Sequence, residues 1–545
     1  MATRLWWACY AAWAAMMVGV AVRINRTVQE PYMDEIFHVP QAQAYCDGDW
    51  GYWDPALTTP PGLYLIPAAL ASLQRTISLS IIATLSPCSL PALRAFNLLL
   101  GLTLPFLYSS IVTLLSLRAV NDSQAERNGS INASSASQAL RRAAAWDGLV
   151  VAAFPLLGWW SWLFYTDMGS VVVVLLCWRA ALQRRFRRSA VLGAAGLLFR
   201  QTNIAWLAFV VAQVAISELR RSPAFTQVKA DPVLANARPV DFVRTPVSLV
   251  LAAVVQVGAL IPVLAAYLAV FGAAIALVRW NGGIVLGDKA NHVPTVHVSQ
   301  VFYCIAFAGV FFSPHLLSVA RVKTVLRSLF GALRRVVLTV LAIGVMCWCI
   351  KNFTVAHPFL LADNRHYAFY LWRRVINIHP FARYALAPGY LLAATLVWHA
   401  LAAAGTMALS TCILFVGATV AVLVPTPLLE PRYFLLPLII LRLYLASPVP
   451  SSSSTLSQSA TEAAPALKHN HAALRRRRAR LFASHRRSRL TRLALEIALY
   501  AAVQAFCVYL FLEKPFYWDV QVGADGRGLE GRDEREVGRL QRFMW

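Results

Sequence analysis

Two adjacent carboxylates, Asp34 and Glu35, lie in Tyr32-Met33-Asp34-Glu35-Ile36-Phe37-His38-Val39-Pro40-Gln41, just after the first apolar run of the chain. A carboxylate beside a bilayer must be solvated or do something that offsets its cost. The chemistry on offer is general-base catalysis, with Asp34, or Glu35 beside it, taking a proton from a sugar hydroxyl. The plainer alternative is a solvated acidic pair starting a helix at Glu35, where the helix dipole favours negative charge. Trp53-Asp54-Pro55 and Thr58-Thr59-Pro60-Pro61-Gly62-Leu63-Tyr64 follow as a rigid aromatic loop.

Further polar motifs interrupt the apolar chain at Tyr165-Thr166-Asp167, Arg200-Gln201-Thr202-Asn203, Asn281–His297, His357–His366 and Glu430-Pro431-Arg432-Tyr433. Arginine's planar fork suits phosphate oxygens, which makes Arg200, Arg365 and Arg432, with His366, the candidates for a phosphate. Carboxylates and amides accept from sugar hydroxyls, and aromatic faces stack on sugar rings. His38, Gln41, Trp53, Asp54, Gln201, Asn203, Asp288, Asp363, Asn364 and Glu430 are the sugar-contacting candidates on that basis. Structural alternatives stand beside these: Arg200 can lock onto Asp167, and Glu430 can pair with Arg432. Sugar and phosphate together at a membrane surface point to a lipid-phosphate-sugar donor.

These residues need a membrane scaffold. Of the 545 residues, 58% are hydrophobic and 14% charged, and the mean hydropathy is +0.56. Repeated apolar runs approach the roughly 20 residues that span a bilayer, so an all-α polytopic membrane protein is expected. The runs predict about thirteen helices, near 5–22, 91–118, 146–164, 168–183, 190–199, 204–219, 247–279, 299–319, 336–350, 384–403, 407–424, 433–447 and 493–512. Residues 61–87 read as interfacial or re-entrant helices, or else as a pair of full spans. The whole chain is one transmembrane domain, with 121–142 and 448–492 as polar cytosolic linkers.

The net charge of +25 would suit nucleic acid, but it sits in loops between apolar helices, as the positive-inside rule requires. The basic loops at 184–188, 220–244, 321–335 and 448–492 are therefore cytosolic, and every polar motif above emerges on the opposite, lumenal face. Arg23 and Arg26 run against this map. The sequons at Asn121, Asn128 and Asn132 fall on the cytosolic side, and that at Asn352 on the lumenal side near a helix end. Nine cysteines are too few and scattered for a disulfide framework, though Cys46 and Cys88 can pair if both face an oxidising compartment. No P-loop, dinucleotide fingerprint, HExxH motif or nucleophile elbow is present, and Asn281-Gly282-Gly283-Ile284-Val285-Leu286-Gly287-Asp288 reads as a tight turn shaping a pocket.

The motif around Asp34, the Trp53 and Thr58 loops, Phe199–Ile204, Asn281–Asp288, Pro314–Ser318, Leu360–Tyr367, Leu428–Phe434 and the terminal Gln541-Arg542-Phe543-Met544-Trp545 occur in one order over nearly the whole chain. In this the chain resembles the eukaryotic dolichyl-phosphate-glucose alpha-1,2-glucosyltransferases, which add the last glucose to the lipid-linked oligosaccharide. The resemblance implies a GT-C fold in the endoplasmic reticulum membrane with a lumenal site. It implies a β-linked donor, dolichyl phosphate glucose, and as acceptor the diglucosylated glycan on dolichyl diphosphate. It further implies inversion in one in-line displacement, with the base at Asp34 or Glu35 and no cofactor beyond the lipid donor. A metal is not demanded, because arginine can neutralise a leaving monophosphate. Arg365, with His366 and Arg200 as helpers, is expected to hold that phosphate, so that Arg365→Ala weakens catalysis more than Arg432→Ala. A transfer of another sugar and a transporter are the rival classes. Transporters usually place charged sites near the midplane between repeated halves, which this chain does not show.

Overall fold

Long apolar runs become helices because the bilayer interior offers backbone N–H and C=O groups no partner outside their own segment. The computed structural model describes residues 2–77, 86–125, 133–221, 231–445, 471–517 and 540–545. The first half holds α1 (Ala2–Thr27), α2 (Glu35–Asp47), α3 (Gly62–Ile77), α4 (Leu90–Ala125), α5 (Ala133–Ala152), α6 (Pro155–Trp160), α7 (Thr166–Leu182), α8 (Phe186–Phe199) and α9 (Asn203–Leu219). Next come α10 (Asp241–Val255), α11 (Val257–Asn281), α12 (Ser299–Phe311), α13 (Ser313–Leu316), α14 (Val319–Phe330), α15 (Leu333–Phe353), α16 (Pro358–Ala362) and α17 (Tyr367–Leu371). A π-helical turn (Trp372–Ile376) leads to α18 (Ala382–Ala385), α19 (Ala387–Ala404), α20 (Leu409–Leu423), α21 (Leu435–Leu445) and α22 (His471–Glu513). Two short antiparallel strands, β1 (Phe516–Tyr517) and β2 (Leu540–Gln541), complete the described chain.

The chain is an all-α, multi-pass membrane protein. Against the thirteen expected spans, six segments among the described residues have the length and apolarity to cross a bilayer: Arg4–Thr27, Leu90–Arg118, Val257–Asn281, Leu333–Phe353, Ala382–Ala404 and Ser488–Glu513. Helices α9, α12 and α20 are shorter and apolar. The other expected positions fall mainly on α5, α7, α8 and α21, and α7 and α21 are almost wholly buried. Several expected helices are broken. The run 247–279 divides at Gln256, 146–164 ends at Ala152 and restarts at Pro155, and 299–319 is interrupted before Pro314. Proline supplies the physical reason in the last two, since it removes a donor and suits the first turn of a new helix.

Within the expected 61–87 segment, residues 62–77 form the single 16-residue helix α3, and residues 78–85 lie outside the described residues. The linker expected over 121–142 is mostly helix, because α4 runs to Ala125 and α5 begins at Ala133. Likewise α22 starts at His471 and takes in the expected linker from there on, including Arg475–Arg478. Asn128, Asn132 (bar the end of its sequon) and the serine tract 451–459 lie outside the described residues. Arg23, on the unexpected face for the positive-inside rule, is paired with Glu513.

A buried ionic network fastens the last helix to the bundle. Arg442 on α21 donates to both carboxylate oxygens of Glu496 on α22, at 2.8 and 2.7 Å, and approaches Asp147 on α5 at 3.4 Å. His315 on α13 meets Glu496 at 2.7 Å. Removing one member would leave a buried charge unpaired, which typically costs about 3–5 kcal/mol. At the other end of the bundle, α2 packs on α3, and α3 on α8. Glycine is required at that last crossing: a Cβ at Gly62 would lie 2.7 Å from the Leu198 backbone.

Candidate active site

The stretch around Asp34 is built by a sharp turn. Met33 has φ +56°, a left-handed conformation that costs a non-glycine residue about 1–3 kcal/mol and persists only where the surroundings enforce it. Those surroundings are visible on either side. The Tyr32 hydroxyl donates to the Arg542 carbonyl at 2.6 Å and accepts from the Arg542 N–H at 2.7 Å. Beyond the turn, the N–H of Asp34 donates to the Tyr165 hydroxyl at 3.0 Å.

Asp34 and Glu35 are thereby sent to different environments. Glu35 is fully buried. Arg94 of α4 donates to its two oxygens at 2.9 and 2.5 Å, and the N–H groups of Phe164 and Tyr32 donate at 2.7 and 3.1 Å. Four donors on one carboxylate leave no room for a substrate proton. Asp34 instead keeps 37% of its side chain exposed and accepts one hydrogen bond, at 2.8 Å, from Arg432. Burial works to raise its pKa, but Arg432, aided by His38 and His366, overcomes this and holds the carboxyl down at about 2.

Arg432 reaches Asp34 from the 3-10 turn that precedes α21, and it also pairs with Glu430. Its guanidinium lies 5.8 Å from the Trp160 ring centre, 6.0 Å from Tyr165 and 5.7 Å from Tyr433. Arg200, between α8 and α9, donates to Asp167 at 3.0 Å and Thr166 at 3.3 Å, and stands 5.5 Å from the same Tyr433 ring. Both structural alternatives noted for these arginines are therefore present as pairs. The pairs share one aromatic ring, since both guanidinium groups lie within 6 Å of the Tyr433 centre, and Arg432 is the one that touches Asp34.

His38, one turn into α2, bonds the Tyr64 hydroxyl at 2.6 Å through Nδ1. Burial pushes its pKa down to about 4 against the pull of Asp34, so the ring is neutral at neutral pH. His366 enters from the loop before α17. Its Nδ1 bonds the Trp545 carbonyl at 2.9 Å, and its Nε2 stands 3.9 Å from Asp363. Burial acts to raise the Asp363 pKa, but His366 and Arg365 together hold it below the usual range.

Other expected residues hold the scaffold. Arg365 donates to Asp363 at 2.8 Å and to Gln541 at 3.0 Å, so its guanidinium is turned to the chain itself. Gln41 is fully buried, with its amide divided between the Tyr52 carbonyl (2.8 Å) and the Asp54 N–H (2.9 Å). Asp54 accepts from the N–H of Ala56, Gln201 donates to the Thr58 carbonyl at 2.6 Å, and Asn203 ties Ser170 to the Gly196 carbonyl. Trp53 packs on the second apolar core below α2. Asn364 is half-buried in the turn between Asp363 and Arg365.

Asp288, at φ +43°, accepts from Asn291, and its N–H reaches the Pro55 carbonyl at 2.9 Å. The glycine run is a tight turn as expected, since a Cβ at Gly287 would come within 2.3 Å of that carbonyl. Cys46 and Cys88 are bridged, with Cα atoms 6.5 Å apart, and the bond pins α2 to the start of α4.

Sequence reasoning missed Arg94, and it noted Tyr165 and the tail as motifs without giving either a place in the site. Arg94 carries a signal that was readable, a lone charge inside an apolar run. The tail carries its motif, but nothing in that motif says where it docks. Residues 540–545 thread beside the site, where Met544 pairs with residues 365–367 through N–H to Arg365 carbonyl and Tyr367 N–H to Met544 carbonyl bonds, each 2.9 Å. Met544 is completely buried.

Residues 28–443, which carry Asp34, Arg94, Arg200, His366 and Arg432, match the DIE2/ALG10 family. The chain belongs to the DIE2/ALG10 family. Three relatives are similar to it along most of their length. A protein of Rattus norvegicus is 32% identical over 531 residues, covering 96% of this chain and 94% of its own. One of Yarrowia lipolytica is 30% identical over 576 residues, covering 94% and 93%. One of Arabidopsis thaliana is 32% identical over 484 residues, covering 78% and 88%. All three bear the name Dol-P-Glc:Glc(2)Man(9)GlcNAc(2)-PP-Dol alpha-1,2-glucosyltransferase. No solved structure matches the chain.

Proposed function

We infer that this member of the DIE2/ALG10 family is the alpha-1,2-glucosyltransferase that moves glucose from dolichyl phosphate glucose to the Glc2Man9GlcNAc2 glycan on dolichyl diphosphate. The observation that carries the chemistry is the 2.8 Å pair of Asp34 and Arg432, with Arg200 beside it across the Tyr433 ring. Asp34 is the general base and takes the proton of the attacking glucose 2-hydroxyl. Glu35 is a positioning residue, fixed by Arg94.

Arg432 and Arg200 receive the dolichyl phosphate as it departs. Charge on that phosphate grows as the glycosidic bond breaks, so these contacts strengthen in the transition state. A carboxyl held at about 2 is a weak base while Arg432 grips it. When the donor phosphate draws the guanidinium away, the Asp34 pKa rises towards its ordinary range and its basicity with it. Base and phosphate clamp are thus coupled through one arginine, and the acceptor is activated only when a donor is bound. His38, neutral and hydrogen-bonded to Tyr64, together with Asp363 and Glu430, lies within reach of sugar hydroxyls.

The reaction belongs on the lumenal face of the endoplasmic reticulum membrane. The Cys46–Cys88 bridge on the face of the site suits an oxidising compartment, and the basic loops leave by the other face. The test is transfer in vitro with purified enzyme, dolichyl phosphate glucose and the diglucosylated acceptor. Asp34→Asn is expected to lose transfer while remaining folded. Full activity in that variant would remove Asp34 from the mechanism.

A further inference from the structure

The face that carries Asp34 also carries a basic, apolar segment that the transfer mechanism leaves unused. Residues 371–383 read Leu-Trp-Arg-Arg-Val-Ile-Asn-Ile-His-Pro-Phe-Ala-Arg, with three arginines and no carboxylate. The segment follows the His366 loop directly and precedes the span Ala382–Ala404, so it lies where the chain re-enters the membrane on the side of the site. Arginines gather on cytosolic faces, so a group of them here has some other cause.

The π-helical turn Trp372–Ile376 explains their display. Trp372 and Ile376 are buried at 4% and 2% exposure and anchor the turn, which leaves Arg373, Arg374 and Val375 all facing outward. Such turns recur at functional sites. The guanidinium of Arg374 is held 5.2 Å from the Tyr370 ring and that of Arg373 6.0 Å from Phe369, a stacking that limits their freedom. Neither arginine takes part in a salt bridge among the described residues. Leu371, Ile378 and Phe381 stand around them at 41%, 67% and 71% exposure. Basic groups beside bare apolar side chains are the signature of a surface seated in the headgroup layer. The segment is also fixed relative to the site, since the Tyr370 ring packs 5.8 Å from Phe543 and the preceding residue, Arg542, bonds Tyr32.

We propose that Arg373 and Arg374 bind the diphosphate of the lipid-linked acceptor, with Leu371, Ile378 and Phe381 seated in the leaflet beside its lipid. This rests on the reaction and orientation given above. The donor phosphate cannot be the occupant, because it must lie at the anomeric carbon next to Asp34, where Arg432 and Arg200 already are. The acceptor has the opposite requirement. Its reacting hydroxyl is at the far end of a long glycan, while its diphosphate stays in the membrane surface, so the two ends need separate places on one face. Two adjacent guanidinium groups match two adjacent phosphates.

The test uses the full-length enzyme and the double variant Arg373→Gln/Arg374→Gln in nanodiscs of zwitterionic lipid. The expected result is a KM for the lipid-linked acceptor raised about tenfold or more, with donor KM and kcat unchanged. The same glycan freed of its lipid diphosphate should be used equally well by both proteins. An unchanged acceptor KM would overturn the proposal, as would an equal loss with the freed glycan. Dependence on added anionic phospholipid with no change in acceptor KM would assign the pair to ordinary lipid contact and overturn it too. Failure of the wild type to transfer glucose to either acceptor would overturn the reaction itself, and this role with it.

Discussion

Arg94 takes both oxygens of Glu35, whereas Arg432 takes one oxygen of Asp34. The difference decides what substitution does at each position. Asp34→Asn should lower kcat by about 10²–10⁴-fold, the usual range for a general base, with the melting temperature retained. Glu35→Gln strands Arg94 in the interior and should cost about 3–5 kcal/mol of stability, seen as a lower melting temperature in detergent before any kinetic defect. Arg432→Ala should reduce kcat more than Arg365→Ala, because Arg432 meets Asp34 while Arg365 is taken up by Asp363 and Gln541. This reverses the ranking expected from the density of the Asp363–His366 cluster alone; equal kcat losses would sink it. His38 sets a pH limit. Its pKa is about 4 in the fold against 6.5 for the free side chain, so the unfolded chain binds the extra proton between those values. Stability from this residue is complete above pH 6.5 and falls as pH drops towards 4, by about 3 kcal/mol at most. Thermal melts of wild type and His38→Gln across that window should converge at the acid end.

At the scale of elements, polar residues in an apolar chain are conspicuous, which is why Asp34, His38, Arg200, His366 and Arg432 could be picked out in the sequence. The partners close in sequence or conspicuous by type were legible too, Asp167 for Arg200 and Glu430 for Arg432, but the contact of Arg432 with Asp34 was not. Asp34 and Arg432 are 398 residues apart, and no local period encodes such a contact. Gln41, Gln201 and Asn203 look like sugar ligands because amides suit hydroxyls, yet each serves a backbone carbonyl, N–H group or serine in the scaffold. Helix ends were misjudged where a break depends on one proline or one residue such as Gln256, which hydropathy averages away. The Cys46–Cys88 bridge, in contrast, was within reach because both cysteines fall in the stretch between the first two long apolar runs, which the map puts on one face. Closing a loop of 42 residues, it should contribute about 3–4 kcal/mol. Cys46→Ser should therefore leave the α2–α3 region open to limited proteolysis that the wild type resists, and equal resistance would speak against the bridge.

For the whole molecule, the arrangement of charge is what supports the orientation proposed above. A glycosylation sequon placed in the loop 354–357 should be modified in microsomes, and one placed in 184–188 should not. The reverse pattern would invert the map and remove the site from the lumen. The molecule is also held together across its full length: Tyr32 and Arg542 hydrogen-bond over a separation of 510 residues, and His366 rests on the Trp545 carbonyl.

This last feature puts an order into synthesis. The Asp34 turn leaves the ribosome long before the segment that braces it, 510 residues further on. Until residues 540–545 have been made and have docked on Tyr32 and His366, the turn that presents Asp34 lacks its brace.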